Sequence, residues 1–368
     1  MDNVLNRYAK LLVNYCLSLQ PGERLYVRST TLAEPLVREV YREALRAGAH
    51  METELEFREQ NRLLLMEGEG DQLAHVSALY REAMERFDAY LFIRAPFNLR
   101  EDQQIDPAKS KIRQEALAPL SKVYFERTAT RSLKRCLCQF PTQASAQEAG
   151  LSLEEYEQFV YTACRLYDED PIASWLEVRR SQQHIVDYLN GCKEIRYLSD
   201  KTDIRFSTEG RVWINSDGQT NMPSGEVYTS PVEDAVNGIV HFDYPAIYQG
   251  REVQGVTLWV EDGYITRWEA RQGQDVLDRV FQMEGTRRFG EAAIGTNYRI
   301  DRFTKNILFD EKIGGTVHMA IGQAYLQTGG KNQSSVHWDM IAGMMESGEI
   351  WADGVKIYEK GQFLLEKS

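Results

Sequence analysis

The chain has 368 residues, of which 43 are Lys or Arg and 55 are Asp or Glu, for a formal charge of −12; 43% are hydrophobic and 27% charged. This length outgrows one simple core, so a soluble chain of two domains is expected. The acidic balance argues against nucleic acid or an anionic membrane as the partner, because both would repel it.

The first segment, Asn3 to Leu19, sets Leu5, Tyr8, Leu11, Leu12 and Tyr15 at helical spacing and stops at Pro21-Gly22. With Arg7 and Lys10 inside it and no clean apolar stretch, it does not read as a secretory signal, and no run in the chain has bilayer-spanning length. Arg24 to Ser29 reads as a strand, Leu32 to Gly48 as an amphipathic helix, and Met51 to Phe57 as a strand. Gln72 to Phe87 follows as a helix and Ala89 to Ile93 as a buried strand. That alternation predicts βαβ units and a mostly parallel sheet. No glycine-rich phosphate loop follows these strands, so a nucleotide site there is unsupported.

Lys109 to Arg135 carries eight Lys or Arg against two Glu and reads as a solvated helix and loop. Phe140 to Asp187 is helical, with Ser152 as a cap before Glu154 and Glu155. From Glu194 to Ala270 the texture turns strand-rich, divided by turn signals such as Ser216-Asp217-Gly218 and Glu261-Asp262-Gly263. The predicted architecture is α/β and α+β, in two domains. An N-terminal, mostly parallel α/β domain spans residues 1–190, and a C-terminal mixed-sheet domain spans 191–368, with helices at Asp275 to Gln282 and around Thr316 to Tyr325. Five scattered cysteines, an odd number, point to reduced thiols and a cytoplasmic protein.

Chemistry concentrates between Glu284 and Asp339. His337 and Asp339 are two apart, so on a strand both face one side while Trp338 faces the other. His318 and Tyr325, seven apart, would share one side of a helix. Imidazole nitrogen and carboxylate oxygen are the donors of a zinc- or cobalt-type hydrolytic site. Asp310-Glu311-Lys312 reads as a turn with a local ion pair. Ser334 and Ser335 lack the surroundings of a nucleophile elbow. Glu226, presented by the turn Pro223-Ser224-Gly225, reads in isolation as solvated surface.

Four ordered motifs change that reading: GEVYTSP at 225–231, RRFGEAAIG at 287–295, LFDEKIGGTVHMAIGQAY at 308–325 and SSVHWDM at 334–340. Together with FPTQASAQEAGLSLEEYEQFVYTAC at 140–164, they resemble the thermophilic-type metalloaminopeptidases of the M29 family. The resemblance implies a two-domain metal-dependent aminopeptidase, often a homodimer, acting on peptides with a free N-terminus. It implies that Glu226, Glu291, His318, His337 and Asp339 bind two divalent metal ions (zinc, cobalt or manganese), with Glu291 as the bridge and Tyr325 as the catalytic tyrosine; on chemical grounds Glu291, or another nearby carboxylate, takes the proton from water. Three carboxylates nearly balance two divalent cations, and a hydroxide completes the balance. A tyrosine donating to the tetrahedral oxyanion contributes about 3 kcal/mol. Two other readings stay open: a metal-dependent amide hydrolase on a non-peptide substrate, and a non-catalytic, metal-containing peptide-binding protein.

Overall fold

The computed structural model describes residues 3–101 and 104–365. The chain folds as two compact units, Met1–Ile172 with Gly218–Pro223, and Ala173–Asp217 with Ser224–Ser368. The break therefore falls near the start of the helix Pro171–Asn190, one helix earlier than the expected division after residue 190.

The first unit is built on a five-stranded sheet in the order His50–Glu56, Arg24–Thr30, Ala89–Arg94, Lys134–Gln139, Asn221–Met222, with every pairing parallel. Its central strands are apolar on the face where Leu25, Val27, Leu91, Ile93 and Cys138 are buried. The expected helix over residues 3–19 is an α-helix, Val4–Lys10, that widens into π-type turns over Leu11–Cys16. The expected helix over 72–87 is two helices, Gly70–Ala74 and Ala78–Arg86. The basic run ends differently from expectation: its helix is Pro107–Ala129, but Lys134 and Arg135 begin a central strand whose inward residues are Cys136 and Cys138. All five cysteines are free thiols.

The second unit carries two antiparallel sheets. One has nine strands and includes Glu194–Leu198, Val236–Phe242 and Arg251–Glu261. The other has five: β1 (Ile214–Ser216), β2 (Glu226–Thr229), β3 (Phe289–Gly295), β4 (Thr316–Gly322) and β5 (His337–Gly343), in spatial order β5-β4-β3-β2-β1. Val227, Phe289, Ala292, Ile294, Val317, Met319, Ile321, Trp338, Met340 and Ala342 join one hydrophobic core.

The expected helix at Thr316 to Tyr325 is β4 instead. Every residue of β3 and β4 is buried, so neither strand shows the alternation by which a half-buried strand is recognised. Gly322, at φ +94°, ends β4, and Tyr325 lies beyond it at the head of the short turn Leu326–Thr328. His318 and Tyr325 therefore do not share a helix face. The other expected helix is present at Gln274–Val280.

Candidate metal centre

Pairing register decides which side chains meet. Across the sheet, Gly295 opposes Glu226, Ala293 opposes His318, Ala320 opposes both Glu291 and Asp339, and Gly322 opposes His337. Directly paired residues share a face, so Glu226, Glu291, His318, His337 and Asp339 all project from the side opposite the core. The same face carries Ala293, Gly295, Ala320 and Gly322, whose small size leaves room between the acidic and imidazole groups.

Glu291 reaches this face through a bulge. Phe289 pairs with Ile321, yet Glu291 pairs with Ala320, so Gly290 is the extra residue. An unbroken ladder would turn Glu291 into the core. A Cβ at position 290 would lie 2.2 Å from the Gln323 carbonyl oxygen, which restricts the bulge to glycine. Glu226 depends on a second close approach: Gly225 sits at φ +119°, where a Cβ would fall 2.7 Å from Asn297 Cβ. From the helix Pro171–Asn190, buried Gln182 donates to the Glu226 carbonyl at 3.2 Å and accepts from Thr296 Oγ1 at 2.8 Å. Glu226 is therefore buried at a strand start, not solvated as its isolated reading suggested.

The side chains converge in two overlapping triads, Glu226–Glu291–His318 and Glu291–His337–Asp339, each with ligand atoms within 4.8 Å of one another. His318 Nε2 lies 3.5 Å from Glu226 Oε2 and 3.6 Å from Glu291 Oε1. His337 Nε2 lies 3.2 Å from Glu291 Oε2 and 3.6 Å from Asp339 Oδ1. Glu291 thus offers one oxygen to each triad.

Electrostatics in this cluster are severe. Burial would lower His318, but Glu291 and Glu226 push it up to about 9. Burial opposes His337 as well, yet Asp339 and Glu291 push it up to about 12. Burial would raise Asp339, and His337 pulls it down to about 2. Glu291 is held below the usual carboxylate range, against burial, by His318 and His337. A neutral His337 can only donate from Nδ1 to the Gln323 carbonyl, 2.8 Å away, which leaves the Nε2 lone pair aimed at the carboxylates. Buried Asp339 Oδ1 has no hydrogen-bond partner. Oxygen and imidazole donors oriented in this way, one of them unsatisfied, fit divalent metal ions.

Tyr325 stands beside this cluster, its ring centroid 4.9 Å from that of His337 and 5.6 Å from that of Tyr228. Burial, then the Glu291 and Asp339 charges, raise its phenol well above the ordinary value, so it keeps its proton.

Two residues at the cluster went unrecognised in the sequence. Glu311 and Lys312 form the expected local ion pair, and it is buried at the cluster: the Lys312 side chain is 0% exposed and its Nζ lies 3.6 Å from Glu226 Oε1. Burial would lower this lysine, and Glu226 and Glu311 hold it above the ordinary lysine range. Four residues of apolar or small character, Ile313, Gly314, Gly315 and Thr316, follow directly, and a lysine abutting such a run was the available signal. Asp310 is also buried and accepts from Thr304 N and Oγ1 at 2.8 and 2.9 Å, which makes it a clasp for its own loop.

A family profile described as thermophilic metalloprotease (M29) matches residues 1–363. The chain is 29% identical to aminopeptidase 2 of Geobacillus stearothermophilus, over 96% of this chain and 94% of that one. It is 28% identical to aminopeptidase T of Thermus thermophilus, over 97% and 95% of the two chains. The solved structure of wild-type AmpT from Thermus thermophilus superposes with a TM-score of 0.85 at 25% identity, covering 98% of this chain and 99% of that one.

Proposed function

The chain belongs to the thermophilic metalloprotease (M29) family and is a metal-dependent aminopeptidase; from that premise we propose that its reaction runs at two divalent ions held in the C-terminal unit. Glu226, Glu291 and His318 would hold one ion and Glu291, His337 and Asp339 the other. The observation that carries this reading is the shared Glu291, whose two oxygens face different imidazoles at 3.6 and 3.2 Å. Zinc, cobalt and manganese all suit carboxylate and imidazole donors.

When bound, the ions supply Lewis acidity that acidifies water and polarises a carbonyl. Glu291, or another carboxylate of the cluster, accepts the proton of the attacking water and returns it to the leaving amine. Tyr325, held protonated, donates to the oxyanion of the tetrahedral intermediate. The Gln323 carbonyl fixes the tautomer and orientation of His337.

We place the enzyme in the cytoplasm, a reading supported by five free cysteines. No helix among the described residues is long and apolar enough to cross a membrane. The homodimer rests on the family resemblance and is tested by the mass in sedimentation equilibrium.

The decisive assay compares aminoacyl-p-nitroanilides bearing free and acetylated amines, with and without chelator. Cleavage confined to the free amine, lost with chelator and regained with metal, is expected. Equal rates on the blocked and free substrates would rule out an aminopeptidase, and activity that survives chelation would rule out the metal mechanism.

A further inference from the structure

The five proposed ligands form two triads that resemble each other in composition, each with carboxylates and one imidazole. Lys312 breaks that likeness. Its ammonium is sealed from solvent against Glu226 Oε1 at 3.6 Å and pairs with Glu311. A buried lysine of this kind persists only because carboxylates neutralise it. Glu226 therefore turns one oxygen toward a cation of the chain and the other toward His318 at 3.5 Å.

The backbone that carries this buried cation is held in place. Asn297 N donates to the Lys312 carbonyl at 3.0 Å, while Asn297 Nδ2 donates to the Ser224 carbonyl at 2.9 Å. One residue thus clamps the loop carrying Lys312 to the segment that delivers Glu226. Lys312 N also donates to the Phe309 carbonyl at 3.0 Å, closing its own turn. The charge is consequently a fixed part of the Glu226 side of the cluster.

We propose that Lys312 makes the two ion positions unequal, weakening the ion held by Glu226, Glu291 and His318 relative to the one held by Glu291, His337 and Asp339. The inference rests on the two-ion reading above. A fixed positive charge beside Glu226 repels a divalent cation in a low-dielectric site, and it engages Glu226 Oε1, which leaves Oε2 as that residue's donor to the ion. Both effects act in the same direction.

The test is calorimetric titration of chelator-stripped protein with zinc, supported by counting bound metal after desalting. Wild-type protein should take two ions per chain with affinities about 100-fold apart. Lys312→Met should tighten the weaker ion by at least about tenfold and leave the stronger one unchanged. Lys312→Arg keeps the charge and should keep the gap. Glu226→Gln should remove the weaker ion and Asp339→Asn the stronger. If Lys312→Met fails to fold, Lys312→Gln carries the same expectation. Two ions whose affinities do not respond to Lys312, or loss of the tighter ion in Glu226→Gln, overturn the proposal alone. A single ion per chain in wild type and Lys312→Met alike overturns the two-ion reading with it.

Discussion

Two regions, one in each unit, treat their carboxylates in opposite ways. In the parallel-sheet unit, Arg28 sits between Glu54 and Glu56 at 3.1 and 2.6 Å, Tyr26 donates to Glu54 at 2.8 Å, and Lys134 grips both oxygens of Glu23 at 2.7 Å. Each of these three acids is answered by a cation or donor that the chain supplies. On the ligand face of the antiparallel sheet, Glu226, Glu291 and Asp339 are buried or nearly so, and face two imidazoles and one another. Acids closed by resident cations hold a fold together, whereas acids gathered without enough of them call for cations from outside. Lys312 is the point where the second region borrows the habit of the first.

The largest break in this contrast should come from Glu291→Gln, which turns one of the two oxygens facing the triads into an amide nitrogen and removes the charge both triads share. Activity on a free-amine anilide should fall by about 10²–10⁴-fold, with bound metal lost and the circular dichroism spectrum retained. Full activity would remove Glu291 from the chemistry. Next in size is Tyr325→Phe, expected to lower kcat by about 10²–10³-fold while KM and metal content hold. A change confined to KM would assign Tyr325 to substrate binding instead.

Arg28→Ala sharpens the other side of the comparison. It leaves Glu54 and Glu56 without their cation and should cost about 1–3 kcal/mol in denaturant unfolding. Activity per folded molecule and metal affinity should not move; a loss of metal would blur the distinction between the two regions. The smallest effect is a pH dependence in metal-free protein. His318 is raised from 6.5 to about 9 by its carboxylate neighbours, so the stability it contributes is complete below 6.5 and is lost as pH rises through 9. Chelated protein should lose about 2–4 °C in Tm across that window, and metal-loaded protein should not, because its imidazoles are already neutral. A chelated Tm that stays flat or climbs would contradict the assignment.

Much of the fold was legible from pattern. The βαβ alternation from Arg24 to Ile93 and the strand-rich texture after Glu194 appear in the structure because half-buried strands and amphipathic helices carry periods of two and 3.6. His337–x–Asp339 was readable for the same reason: β5 presents both to one face and buries Trp338 on the other. Pattern failed at β4, where burial on both faces erased the period and left TVHMAIG compatible with a helix. It also had no means of seeing the bulge at Gly290, since a one-residue register shift is a property of two strands and not of one. The local ion pair at Asp310-Glu311-Lys312 is present as the triplet suggests, but a sequence does not show which way a lysine points; only the ion-pair geometry shows it folded inward.

The central claim is that five residues spread from position 226 to 339 converge on two divalent ions that share Glu291. A crystal of cobalt-loaded protein, with anomalous differences recorded at the cobalt edge, tests it directly. Two peaks are expected in the C-terminal unit, each about 2.0–2.2 Å from a Glu291 oxygen, one also touching Glu226 and His318 and the other His337 and Asp339. Peaks elsewhere, or a cluster that stays free of cobalt while the protein cleaves substrate, would contradict the account.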